Sequence, residues 1–338
     1  GRSRTARDNA RCICVDPSGT AHMVWEDERN GNFEIYYAAM VGDSVLPAVR
    51  ITYTRGESFY PCVACDSENV YVVWRETVDD LPELRYVRLT GGVVAARKRI
   101  VRSFVEASCP VSAMGPDGVL HLAWHEGPYK QTAVYYGQVI ADSLVLREPI
   151  GTKSPEAFRP DIACDPHGRV LIAWFEGLQT KAKLRDDGAW GEETLVATGA
   201  SRAWRLSVAN LSEGRWAAAW FDKTEKGSDV LVKFFNEEEW YGETKVSSAN
   251  VAYYPNMIGL GNGNLAVVWE VDNKEIGEYS IVLRCYNGQE WSTPLDIYKE
   301  GVAGRYASLA VHDDLLHAVW FSGKVSSDEI YHLLLRRK

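Results

Sequence analysis

Seven times along the chain an apolar run ends in Trp, at Trp25, Trp74, Trp124, Trp174, Trp220, Trp269 and Trp320. The intervals are 49, 50, 50, 46, 49 and 51 residues, so units of one length occupy nearly all of the 338. A unit of that size cannot bury its own apolar faces. It must stack on its neighbours, which confines the chain to a repeat architecture.

Within a unit the residues call for short strands. The stretches Tyr60 to Asp66 and Arg159 to Asp165 start with a Pro in second place and continue with small and β-branched residues. Pro is tolerated where a strand begins, because the missing donor does least harm there. Hairpin chemistry follows at Asp16-Pro17-Ser18-Gly19 and Asp165-Pro166-His167-Gly168, with Pro presetting φ and Gly taking the positive φ. The Trp strand comes next. A third strand follows, as in Glu34 to Tyr37 or Ala133 to Tyr136, and a fourth, as in Val49 to Thr52 or Thr194 to Val196. No window sustains a helical period.

The expected fold is all-β: a seven-bladed β-propeller of four-stranded antiparallel blades, forming a single domain over residues 1–338. One indole per blade at a fixed place predicts packing between neighbouring blades. The His of His22, His121 and His317 shares a column with Tyr71 and Leu171 and is expected to be structural. Closure is the weak point, because the last unit stops after its third strand and few residues precede the first. The expectation is a frayed or three-stranded last blade, closed weakly or incompletely by the N-terminus, or an edge strand built from residues 1 to 5.

Composition narrows the function. The formal charge of -9 speaks against nucleic acid, since phosphate binding needs a basic face, and the basic runs at 97–99 and 336–338 read as solvated surface. No run approaches a membrane span. The chain begins with Gly and shows no signal-like segment, so it reads as a processed or trimmed product of unrecorded compartment, with the secreted space or the cell envelope as the expectation. The seven cysteines have no zinc-finger spacing, and Cys65 and Cys164 share an apolar column, where buried thiols act as small hydrophobes. No phosphate-cradling loop, nucleophile elbow or zinc-protease motif is present, and neither a metal nor a cofactor is expected.

The units at residues 16–37 and 165–176 resemble blades of the sialidase-like superfamily, of the bacterial neuraminidase-repeat (BNR) type. That resemblance covers the chain repeat by repeat and implies a propeller of a kind found in hydrolases, lyases, lectins and plain binding modules alike. The family's Asp box, roughly Ser-x-Asp-x-Gly-x-x-Trp, marks the fold and has degenerate counterparts at 186–190, 236–240 and 287–291. True sialidases are similar in using an arginine triad, a Tyr nucleophile with a Glu partner and an acidic acid/base. They have six blades and an opening Arg-Ile-Pro, whereas this chain has seven Trp units and only Phe158-Arg159-Pro160 as a near match. The resemblance is to the superfamily and not to its sialidases proper.

Inner-strand starts and Trp-strand ends share one face of such a wheel, around the mouth of its channel, where side chains from every blade converge. The column before the Pro reads Arg11, Tyr60, Cys109, Arg159, Trp204, Tyr254 and Tyr306. After the Trp come Glu26, Arg75, His125, Phe175, Phe221, Glu270 and Phe321, and then a recurrent carboxylate at Asp27, Glu76, Glu126, Glu176 and Asp222. That carboxylate is expected to cap the next turn by accepting backbone N–H groups. Aromatic faces stack on sugar rings, and Arg offers a fork to a carboxylate or sulfate.

Two functions fit. The first is a monomeric, non-enzymatic recognition propeller that binds a glycan or protein ligand through Arg11, Arg75, Glu126, Glu176, Trp204, Tyr254 and Tyr306. The alternative is a glycan-active enzyme, a polysaccharide lyase or glycoside hydrolase of an anionic sugar. In that reading His125 transfers the proton, with Tyr60 and Arg159 as partners.

Overall fold

The computed structural model describes residues 3–4, 11–79, 81–102, 105–128, 130–151, 156–198, 205–212, 214–225, 227–248, 251–273, 278–297, 304–322 and 329–336. Every regular element among them is a β-strand. No helix there is long and apolar enough to cross a membrane. The strands form seven antiparallel sheets in chain order, the blades of a β-propeller.

Blade 3 shows the plan: Ala107–Met114 innermost, then Leu120–Glu126 with the Trp, Ala133–Ile140 and Ser143–Pro149. Blade 2 repeats it with Ser58–Cys65, Asn69–Val78, Leu81–Thr90 and Val93–Val101. The inner hairpins close as their residues dictate. In the first, Gly19 takes φ 84° and the Asp16 carboxylate accepts the amides of Ser18 and Thr20.

None of the seven column tryptophans is more than 6% exposed. Each lies in a different apolar cluster, and each cluster joins two successive blades. Trp74 packs with the Val24 and Tyr37 side of blade 1, Trp124 with Val73 and Tyr86 of blade 2, and Trp320 with Val268 and Ile281 of blade 6. Burying one such ring is worth on the order of 5 kcal/mol of apolar transfer, so the indole column supplies much of the adhesion between blades. Trp25 closes the circle, packing in one cluster with Ala310 and Val319 of blade 7.

Beside the expected turn cap, which Asp27 makes, the recurrent carboxylate has a second job. Residues two apart on a strand share a face, so the acid reaches back to its own Trp. The indole N–H groups of Trp74, Trp124 and Trp174 donate to Glu76, Glu126 and Glu176 at 3.1, 3.2 and 3.1 Å, and Trp25 donates to Asp27 at 3.4 Å. A cation balances each acid: Arg85 at 3.3 Å from Glu76, Arg147 at 2.7 Å from Glu126, Lys181 at 2.6 Å from Glu176, and Arg29 on Asp27. Only Asp27 also accepts a turn amide among these bonds, from Arg29. Val271 and Ser322 take the acid's place after Trp269 and Trp320, and there the indole N–H has no hydrogen-bond partner among the described residues.

The histidine column is held inside its blades. His22 Nδ1 meets the Tyr37 hydroxyl at 2.9 Å, and His121 Nδ1 meets that of Tyr136 at 2.7 Å. Two of the Asp-box-like turns tie their Trp to the preceding blade: Trp190 donates to Glu148 at 2.8 Å and Trp240 to Thr194 at 3.0 Å.

Blade 7 has three strands among the described residues, Gly304–His312, Leu315–Ser322 and Ile330–Arg336. Ser3–Arg4 is not the missing edge strand. It pairs with Asp27 and Glu26 of blade 1, where blade 2 has Ser58 and Phe59 against Glu76 and Arg75. The N-terminal pair thus completes the inner strand of blade 1, Ile13–Val15, instead of the last blade. The rest of residues 1 to 5 lies outside the described residues.

Candidate functional site

At the end of the wheel where inner strands begin, each of five inner strands carries a bulge. Pairing in blade 2 jumps from Phe59 opposite Arg75 to Cys62 opposite Val73, and the same break follows Ser108, Phe158, Tyr253 and Arg305. The first bulged residue is left-handed every time: Tyr60, Cys109, Arg159, Tyr254 and Tyr306 have φ between 50° and 55°. Such a backbone costs an L-residue about 1 to 3 kcal/mol and persists only where its surroundings hold it.

The bulge turns an amide toward the preceding blade, and the residue after that blade's Trp receives it. Glu26 accepts the Tyr60 N–H at 2.8 Å, Glu270 the Tyr306 N–H at 2.5 Å, and His125 Nδ1 the Arg159 N–H at 3.4 Å. His125 therefore stands in for a carboxylate that clamps the next blade. Its Nδ1 is an acceptor, so the ring proton sits on Nε2. Burial, and then the charges of Arg159 and Arg75, push its pKa down to about 3, so the ring is neutral at any ordinary pH.

Arg75 breaks the series, as does the apolar Phe221 before the Tyr254 bulge. Arg75 holds the same position in blade 2, where a guanidinium has no acceptor to offer the Cys109 amide. Its Nε is buried and has no hydrogen-bond partner among the described residues. A buried donor left in this state is costly, by about 1 to 3 kcal/mol and more when it is charged. Arg75, His125 and Arg159 thus form a basic sector on blades 2 to 4, close enough for both guanidinium charges to act on the imidazole.

The opposite sector is aromatic. Tyr254 meets Tyr306 edge-on at 5.0 Å, Phe221 lies 5.6 Å from Tyr253 and 5.5 Å from Tyr254, and Phe321 is 5.3 Å from Tyr306. Arg305 lies over Tyr279 and Tyr306 at 4.3 and 4.7 Å and pairs with Glu270 at 3.3 Å. Burial pushes Glu270 up to about 7, with Arg305 and the Tyr306 amide opposing the shift. Phe158 and Phe175, 5.9 Å apart, continue the aromatic lining on blade 4, with Arg159 over Phe158 at 5.7 Å.

The sequence-predicted residues are therefore divided. His125, Arg159 and Arg75 come together, and so do Tyr254 and Tyr306. Tyr60 stands on the Glu26 clamp of the first blade, its ring 5.9 Å from Phe59. Glu126 and Glu176 lie with their own indoles and cations. Arg11 stands one position past the bulge column, because Val24 pairs with the Cys12 carbonyl as Val73 pairs with Cys62. Its guanidinium crosses the channel to Asp161 at 2.9 and 3.0 Å and to the carbonyls of Ile162 and Val208 at 2.7 Å, tying blade 1 to blades 4 and 5. Blade 5 shifts the other way: Ser207 opposite Ala219 puts Arg205 in the bulge column, and Trp204, one position before it, lies outside the described residues. Neither blade has a Pro there to fix the count. The residues missed, Phe59, Phe158, Tyr253 and Arg305, form the column immediately before the bulge, visible in sequence as large side chains two places before the Pro position.

No protein-family model and no curated protein sequence matches the chain. Solved structures do. The PL25 ulvan lyase bound to -[GlcA(1-4)Rha3S]- superposes with a TM-score of 0.69 at 9% identity, over 99% of this chain and 93% of that one. Polysaccharide lyase Uly1 gives 0.61 at 10% identity over 98% and 90%, and the NanB sialidase of Streptococcus pneumoniae 0.55 at 9% over 98% and 70%. At these identities the likeness speaks to fold alone: the chain shares the β-propeller architecture of these lyases and sialidases.

Proposed function

We propose that this protein is a non-catalytic recognition propeller that binds an anionic glycan at the bulged mouth. Arg75 and Arg159 receive the carboxylate or sulfate, and the half-buried Tyr253 and Tyr254 face the sugar rings, backed by the buried Phe221 and Tyr306. One observation carries this reading: Arg75 occupies a position where blades 1, 3 and 6 have acceptors, and its buried Nε has no hydrogen-bond partner among the described residues. A bidentate anion would satisfy that donor. The likeness to a lyase solved with a sulfated, uronate-bearing ligand supports the same ligand class.

His125 argues for binding over turnover. Its Nδ1 is engaged by the Arg159 amide, and a group pushed to about 3 is a poor proton acceptor near neutrality. The enzymatic reading, a lyase or hydrolase using His125, Tyr60 and Arg159, draws on the adjacency of His125 and Arg159 and on the likeness to polysaccharide lyases.

A glycan array run beside assays for 4,5-unsaturated uronate and released sialic acid separates the two. The proposal expects retention of carboxylated or sulfated glycans over neutral ones, with no product formed. Turnover that disappears in His125→Ala would replace it with the enzymatic reading, and equal retention of neutral glycans would refute both.

A further inference from the structure

At the other end of the channel, where the inner strands run into their hairpins, lies a cavity of about 980 Å³ that the glycan site does not use. Cys14 and Cys65 both line it, and both are half-buried thiols. They come from different blades and face one another. Alternation along the strand turns Cys12 and Cys14 of blade 1 toward blade 2, and Val63 and Cys65 of blade 2 toward blade 1. All four share the apolar cluster between those blades. The Val63 amide donates to the Arg11 carbonyl at 2.8 Å, which fixes the register of the two strands and carries Cys14 alongside Cys65. The Cys65 side chain adjoins the Cys14 thiol closely enough to help keep it protonated.

We propose that Cys14 and Cys65 are a redox pair that closes an inter-blade disulfide when the protein meets a small-molecule disulfide. One thiolate attacks a sulfur of the reagent R–S–S–R, forming a mixed disulfide and expelling one thiolate. The second cysteine, once deprotonated, attacks the protein sulfur of that mixed disulfide and expels the other. Two cysteine thiols are oxidised to one S–S bond, and R–S–S–R is reduced to two R–SH. Burial and the adjoining Cys65 hold the Cys14 thiol well above its ordinary range, so closure is slow near neutrality and quickens as pH rises. Among the described residues no group of three or more Cys, His, Asp or Glu is placed to hold a metal there, which leaves the pair to thiol chemistry. The bond would anchor Ile13–Val15, a three-residue inner strand, to the full-length strand Ser58–Cys65.

The test incubates the full chain with oxidised glutathione across a range of pH and maps its peptides without reduction. The expected product has lost two hydrogens and contains a cross-linked peptide pair bearing Cys14 and Cys65, formed faster at higher pH. Closing that loop lowers the unfolding equilibrium constant by about a thousandfold, reversibly with reductant. Cys14→Ser and Cys65→Ser should each prevent the cross-link and the stabilisation. A lasting mixed disulfide on Cys14 or Cys65, pairing of either with another cysteine, or continued alkylation of both after oxidation would overturn the proposal.

Discussion

At the scale of single residues, one position has three uses around the wheel. After the Trp, Glu26, His125 and Glu270 clamp the next bulge, Phe175, Phe221 and Phe321 are apolar, and Arg75 alone presents an uncommitted guanidinium among the described residues. The column was legible in sequence as a place of variation. Its clamping role was not, because the acceptor and the amide it serves lie more than thirty residues apart and meet only through a left-handed bulge. Buried imidazoles also set the acid response. Burial pushes His121 down to about 4, below the value it has when unfolded. The unfolded chain therefore takes up a proton first, and stability falls as pH drops from the ordinary histidine range to about 4. The urea midpoint of His121→Leu, which copies Leu171 of blade 4, should lack that part of the decline. Tyr136 keeps Gln138 as a partner in this variant. Parallel pH profiles for the two proteins would reject the assignment.

At the scale of the element, the Trp strand is a small device: an indole buried against the previous blade, an acid on the same face to receive its N–H, and a cation to balance the acid. The period was readable from the indoles alone, and the alternation rule could have given the acid its partner, since residues two apart share a face. Turn capping, which Asp27 performs for the Arg29 amide, was the more familiar use of a carboxylate near a strand end, and it drew the reading away from the indole. Glu176→Ala removes the acceptor of the Trp174 N–H and the anion beside Lys181, and should cost about 1 to 3 kcal/mol in urea unfolding. Ser322→Ala, at the same place in blade 7 where Trp320 has no such bond, should cost roughly 0.5 kcal/mol or less. Equal losses would mean that the acid acts through something other than the indole.

At the scale of the molecule, seven apolar clusters between blades make the wheel, and polar ties along its axis hold it to one register. Arg11 is one of these, joining the first blade to Asp161 on the fourth. No sequence pattern marks a contact between residues 150 positions apart, so Arg11 looked like one more arginine at the mouth. Arg11→Ala strands a carboxylate that is 1% exposed and should cost about 3 to 5 kcal/mol. Stability unchanged in that variant would show the tie to be dispensable. The ring itself, its strand order and its inter-blade indoles were all foreseeable, since each follows from a repeated local pattern. The N-terminal pair went astray because the three-residue inner strand of blade 1, Ile13–Val15, leaves Glu26 and Asp27 at the end of the Trp strand for it to pair with.

The account rests on Arg75 as the anion fork, and titrating wild type and Arg75→Ala with a uronate-bearing or sulfated oligosaccharide at two salt concentrations tests it most directly. The prediction is salt-sensitive binding by wild type that weakens by roughly ten- to hundredfold in the variant, with no loss of thermal midpoint, since the variant is also relieved of a buried unsatisfied donor. Equal affinity of the two proteins for the charged glycan, or affinity indifferent to its charge, would contradict it.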